Sequence, residues 1–95
     1  MNLYPGAFEQ VLRNLGGIAE YQVTLDLRSS MAEASVEVEL EVELEEGARG
    51  SHLAQIEEAL KEAFHLRIPV HEAPTGLPRF ELKARRWNVL ERAGV

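Results

Sequence analysis

Between Tyr21 and Leu44 the apolar residues recur with a period of two, and this alternation restricts the folding options of the chain more than any other feature. Tyr21, Val23, Leu25 and Leu27 alternate with Gln22, Thr24, Asp26 and Arg28. After Ser29-Ser30 the pattern resumes at Ala34, Val36, Val38, Leu40, Val42 and Leu44. A β-strand sends successive side chains to opposite faces, so each run reads as a strand with one apolar and one polar face. The short polar connection makes them an antiparallel hairpin whose apolar faces share a side. That side requires a cover.

Two segments with helical spacing can provide it. Tyr4-Pro5-Gly6 precedes Phe8, Val11, Leu12 and Leu15. Proline fixes φ and suits a first helical turn, while Gly16-Gly17 closes the helix because glycine accepts a left-handed conformation. A second helix is expected to begin near Ser51, a plausible N-cap, and to carry Leu53, Ile56, Leu60 and Phe64 on one face. Leu66 to His71 reads as a third strand, which Pro69 confines to an edge or a bulge. The order α-β-β-α-β predicts a two-layer α+β sandwich related to the ferredoxin-like fold but lacking its leading strand. Its sheet is small and mainly antiparallel, with two helices on one face. A helical crossover to a parallel third strand would put the first strand in the middle. Ala73 to Pro78 has loop composition, and a basic tail from Arg79 to Arg92 follows, its end read as helical.

Residues 1–95 form a single domain on this reading, since 95 residues give room for one core and 45% of them are hydrophobic. The stability expected of a domain this size is roughly 5–14 kcal/mol. There is no cysteine, which removes disulfides, thiolate zinc sites and a cysteine nucleophile. The formal charge of −6 argues against a nucleic-acid binder, because neutralising phosphates takes a basic face. No apolar run approaches a membrane span and the first residues lack a signal-peptide pattern, so a cytoplasmic protein is expected.

Glu37, Glu39, Glu41 and Glu43 fall on one face if the second strand runs through them, with neighbours ~7 Å apart. A flat ladder of carboxylates lacks the encircling loop of a cation cage, so it reads as a charged outer face that discourages edge-to-edge pairing. His52, His65 and His71 have no metal-type spacing, and His65 suits a helix C-terminus. No metal site is expected. The serines lack a nucleophile-elbow context, and no glycine-rich phosphate loop occurs. Arg79, Lys83, Arg85 and Arg86, by contrast, crowd next to a Gly-Leu-Pro turn in an otherwise acidic chain. Cations on a loop suit an anionic partner or a phosphate.

Residue order adds to charge. Asn2-Leu3-Tyr4-Pro5-Gly6-Ala7-Phe8-Glu9-Gln10-Val11-Leu12 resembles the Asn-Val-Phe-Pro-x-x-Ile-Glu-x-x-Leu opening of the C-terminal domain of phenylacetate-CoA ligases, members of the AMP-forming acyl-adenylate superfamily. Tyr21-Gln22 and Glu33 to Leu40 are similar to the hairpin strands of that domain. Gly76-Leu77-Pro78-Arg79-Phe80-Glu81-Leu82-Lys83-Ala84-Arg85-Arg86 is similar to its Leu-Pro-Arg-Ser-x-Gly-Lys-x-x-Arg segment. The resemblance implies a lid that swings over a larger nucleotide- and acid-binding domain, with Lys83 at the position of the lysine serving adenylation.

It also implies that no cofactor is bound by this domain alone, and that ATP, Mg²⁺ and CoA are met only through an adenylating domain. Two readings follow. In the first, the chain is a lid, inactive alone, that docks on a separately encoded adenylating domain through Phe80, Trp87 and the basic tail and supplies Lys83 in trans to activate an aryl or other carboxylic acid. In the second, it is a non-catalytic regulatory or interaction module, a homodimer through a strand edge. Phe80 and Leu82, standing where the motif has Ser and Gly, favour the second reading.

Overall fold

The computed structural model describes residues 4–74, 76–78 and 86–91. Two helices and four strands follow one another as α1 (Pro5–Leu15), β1 (Ile18–Asp26), β2 (Glu33–Leu40), α2 (Glu46–Phe64), β3 (Val70–Glu72) and β4 (Trp87–Leu90). The strands form one mixed sheet in the order β3-β2-β1-β4. The small α+β architecture agrees with the expectation from the periodicities, and both helices contribute to one core on one face of the sheet.

The hairpin forms as the alternation dictates. Tyr21 faces Val38, Val23 faces Val36 and Leu25 faces Ala34 across the antiparallel β1–β2 ladder. Val23, Val36 and Val38 are fully buried under Phe8 and Leu12 of α1 and Ile56 and Leu60 of α2. Gly16 and Gly17 both have positive φ, 73° and 75°. At Gly17 a Cβ would stand 2.7 Å from His52 Nε2, so absence of a side chain lets the α1–β1 turn press against α2.

Where β1 enters the β1–β2 connection, Arg28 donates from Nε and Nη2 to the two carboxylate oxygens of Asp26 at 3.0 and 2.9 Å. These side-chain bonds, joined by the Arg28 backbone N–H, lower the Asp26 pKa from 3.8 to about 2. A depressed carboxylate pKa stabilises the fold above its unfolded value and loses that contribution as pH falls through the folded one. A carboxyl titration followed by NMR should therefore place the Asp26 midpoint at about 2, returning toward 3.8 in Arg28→Ala.

Four expectations are corrected. First, β2 ends at Leu40 rather than Leu44. The Glu41 N–H goes to the Gly17 carbonyl and the Leu44 N–H returns to Glu41, which turns the chain and leaves Val42 86% exposed. Glu37 and Glu39 thus share a strand face, but Glu41 and Glu43 lie in the turn. Second, α2 starts at Glu46, ahead of Ser51, despite Gly47 and Gly50 in its first turns. Arg49 offsets their poor propensity by reaching Glu72 on β3 and the Glu41 carbonyl, at 2.5 and 3.2 Å.

Third, β3 runs parallel beside β2, not beside β1. Pro69 contributes only its carbonyl, to the Val36 N–H at 2.9 Å, so its missing donor costs nothing at this edge. Fourth, the end of the tail is a strand, not a helix: β4 pairs parallel with β1, Trp87 beside Val23 and Val89 beside Leu25. Its residues alternate across the sheet, and the Leu90 carbonyl accepts the Leu27 N–H at 2.7 Å.

His65 closes α2 in the left-handed conformation, φ 54° and ψ 37°, its N–H bonded to the Lys61 carbonyl. A side chain with a Cβ is strained there, whereas glycine is not. His65→Gly is expected to raise stability by about 0.5–1 kcal/mol in urea denaturation, the relief being partly offset by greater freedom of the unfolded chain.

Candidate functional site

The connection from β3 to β4 runs from one edge of the sheet to the other, and its described parts are anchored by carboxylates. Glu39, on the polar face of β2, accepts the Leu77 backbone N–H at 2.9 Å. Gly76 lies against the same side chain, where a Cβ would be 3.4 Å from its Oε1. Glu39 therefore grips this connection rather than standing free in solvent.

The second anchor is Arg86. Its Nε donates to Glu20 Oε1 at 2.6 Å and its Nη2 to Glu20 Oε2 at 3.3 Å, a two-point grip suited to the planar guanidinium. Its Nη1 reaches Glu9 Oε1 at 3.4 Å, and Arg13, four residues along α1 from Glu9, lies 3.6 Å from the same oxygen. The guanidinium also sits 5.3 Å from the centre of the Tyr21 ring. Glu9 and Glu20 are only 8% and 5% exposed, so the cation satisfies charges that burial would otherwise penalise.

Local structure explains how the groups meet. A β-bulge lies between Ile18 and Glu20, and the Glu20 side chain turns back to accept the Tyr21 N–H at 3.1 Å. The α1 helix presents Glu9 beside the apolar Phe8 and Leu12, drawing a carboxylate to the margin of the core. Burial and then the nearby Glu9 charge raise the Tyr21 pKa, while Arg86 opposes the rise. Glu20 in turn raises the Arg86 pKa through its hydrogen bonds, keeping the guanidinium charged.

A cleft of about 330 Å³ opens between the end of α1 and the start of β1. Glu9, Glu20 and Glu41 outnumber Arg13 and Arg86 along its wall, which makes it a poor receptor for phosphate. Among the described residues no group of three or more His, Cys, Asp or Glu side chains is placed to hold a metal ion. No helix among them is long and apolar enough to cross a membrane.

The basic segment of the sequence lies between the two anchored points, Leu77 on Glu39 and Arg86 on Glu20. The family described as AMP-binding enzyme C-terminal domain matches residues 1–89. The chain belongs to this family. The match runs from the opening motif through the lysine segment into β4, and the resemblance to the C-terminal domain of phenylacetate-CoA ligases is borne out. A domain of phenylacetate-coenzyme A ligase from Bacteroides vulgatus superposes with a TM-score of 0.77 at 27% identity, over 97% of this chain and 88% of that one.

Two structures of 2-hydroxyisobutyryl-CoA ligase share the fold. One, bound to 2-HIB-AMP and CoA in the thioesterification state, has a TM-score of 0.79 at 20% identity; the other, an open conformation with the same ligands, has 0.75 at 21%. They cover 93% and 90% of this chain but only 19% of the ligase, so the chain spans about a fifth of that enzyme's length. No curated protein matches the chain significantly.

Within this AMP-binding enzyme C-terminal domain, Lys83 falls outside the described residues, as do Arg79, Phe80 and Arg85. Trp87 is described, and its position corrects one expectation. Rather than standing out as a docking anchor, its ring meets Phe8 edge-on at 5.4 Å and packs against the core. Arg86 stands at the arginine of the lysine motif and Glu9 at the glutamate of the opening motif; the sequence reading counted Arg86 among cations suited to an anionic partner and gave Glu9 no role, whereas the structure pairs the two and adds Glu20. Their common signal was position within the two motifs, and only folding showed that the motifs meet.

Proposed function

We propose that this chain is the lid of an AMP-forming acyl-CoA ligase and supplies Lys83 to adenylation of a carboxylic acid bound on a large nucleotide-binding domain. The observation that carries the reading is a family match that extends through the lysine segment and into β4. A 2-hydroxyisobutyryl-CoA ligase holding an acyl adenylate and CoA contains a domain of this fold, which supports a partner of the same class. ATP, Mg²⁺ and CoA are then held by that partner, and the described residues of this chain offer no metal cluster of their own.

In the step served by the lysine, a carboxylate oxygen attacks the α-phosphorus of ATP. The new P–O bond forms as the α–β phosphoanhydride bond breaks, and pyrophosphate leaves. Two anions approach each other in this step, so an ammonium between them offsets charge that exists fully only in the transition state. Lysine suits the task as a compact charge on a flexible stem. Phenylacetate, the acid in the name of the ligase relative, is the first substrate to test.

The test combines the chain with a phenylacetate-CoA ligase large domain lacking its own C-terminal domain and follows phenylacetate-dependent exchange of pyrophosphate into ATP. The wild-type chain is expected to restore exchange, and Lys83→Ala to lose about 10²–10³-fold of it. Equal exchange by the two proteins removes the catalytic reading. A second reading, a non-catalytic module paired as a homodimer, is favoured by one observation. The edge strand β4 carries Trp87, Asn88, Val89 and Leu90 without a charge to discourage pairing. Sedimentation equilibrium distinguishes it: a dimer that neither docks nor stimulates exchange supports this alternative.

A further inference from the structure

The two outer edges of the sheet are protected very differently. At β3 the usual devices against edge pairing are present: Pro69 precedes the strand, and His71 and Glu72 are exposed, with Glu72 held by Arg49 of α2. β4 has none of these within its span, since Trp87, Asn88, Val89 and Leu90 carry no charge. Val89 is 45% exposed although it lies beside Leu25, which packs against the core. The ladder also fixes which backbone groups are open. The Leu90 carbonyl accepts the Leu27 N–H, so Leu90 and Asn88 direct their backbone groups toward β1, and strand alternation turns those of Trp87 and Val89 outward. The chain has a formal charge of −6, so most approaches of two copies are repulsive, whereas an uncharged edge brings no carboxylates into opposition.

We infer that β4 pairs antiparallel with β4 of a second copy about a two-fold axis through Asn88, joining two four-stranded sheets into one. Such a contact is isologous, each copy giving and receiving the same bonds. Trp87 exchanges N–H and C=O groups with the partner's Val89, and Val89 does so with the partner's Trp87. The half-exposed Val89 side chain is thereby covered by the partner's Trp87 ring. In the rung between, Asn88 faces the partner's Asn88 without hydrogen bonds, and the two Cα atoms approach to about 4.5 Å. This register leaves Glu91 beyond the bonded residues. The interface is that of the homodimer in the second reading above and rests on that reading.

One engineered thiol and sedimentation equilibrium test the interface and the reading separately. The chain has no cysteine, so Asn88→Cys introduces a single thiol per copy. The Cα separation of the central rung lies within the span of a disulfide, and oxidation with copper-phenanthroline is expected to convert most of this variant to a covalent dimer. Glu37→Cys, exposed on the inner strand β2, should cross-link about tenfold less. Val89→Lys should raise the dimer dissociation constant about tenfold or more, with the circular dichroism spectrum of the wild type retained. A dimer in which Asn88→Cys cross-links no better than Glu37→Cys, or which Val89→Lys leaves unchanged, overturns pairing at β4 and leaves the homodimer reading standing. A wild-type chain that stays monomeric up to about 1 mM overturns both.

Discussion

Replacing Phe8 with alanine is expected to remove about 3–5 kcal/mol of stability, enough to consume a large part of what a domain of 95 residues possesses. Phe8 is fully buried and is the point where separate elements converge. Its ring lies 6.0 Å from Tyr21 of β1, 5.9 Å from Phe64 of α2 and 5.4 Å from Trp87 of β4. Truncation would remove the transfer energy of the ring and leave a cavity that three aromatic neighbours, each held by a different element, cannot collapse to fill. Phe8→Leu should recover more than half of the loss because it restores most of the volume. Urea denaturation monitored by Trp87 fluorescence measures both variants, and a loss below 1 kcal/mol in Phe8→Ala would contradict the packing described.

The second large effect concerns Arg86. Arg86→Met is expected to cost about 3 kcal/mol, because it removes the cation that Glu20 and Glu9 share while leaving both carboxylates buried. The figure belongs at the lower end of the range for breaking a buried pair, since Arg13 remains 3.6 Å from Glu9. Part of the loss comes from the Tyr21 ring, over which the guanidinium lies. The signature lies in pH dependence. Acid that neutralises the orphaned carboxyls removes their need for a cation, so the deficit relative to wild type should shrink as pH falls. A second substitution, Glu20→Gln, should recover part of the loss at neutral pH by removing the more deeply buried charge. A deficit that stays constant across the acid range would show that Arg86 acts by packing alone.

These two residues illustrate different degrees of legibility. Phe8 was readable as core because it opens an apolar stripe of helical period, and the period persists through the whole of α1. Arg86 read only as one of several cations near the end of the chain. Its role depends on a helix and a bulged strand that lie 77 and 66 residues away in sequence, and no local pattern encodes such a meeting. The same holds for Glu20 and Glu39, whose juxtaposition is a matter of ladder register.

The errors in the elements have a common cause. Val42 and Leu44 continue the alternation of β2, but the Gly17 carbonyl takes the Glu41 N–H and ends the strand. Gly47 and Gly50 look like loop residues, but Arg49 contacts with β3 and the β2–α2 turn hold that stretch in a helix. Trp87 to Leu90 is too short for its pattern to decide between helix and strand, and the open edge of β1 decided it.

The sequence by itself determined the hairpin, the two helices and the breaks between them, because side-chain periodicity and backbone allowances at glycine and proline act over a few residues. It also carried the family through the order of its motifs. Strand order, the fourth strand and the meeting of Arg86 with Glu9 and Glu20 were decided only in the tertiary structure. Each depends on hydrogen bonds and charges brought together from distant segments, whose strength is set by the burial that folding itself creates.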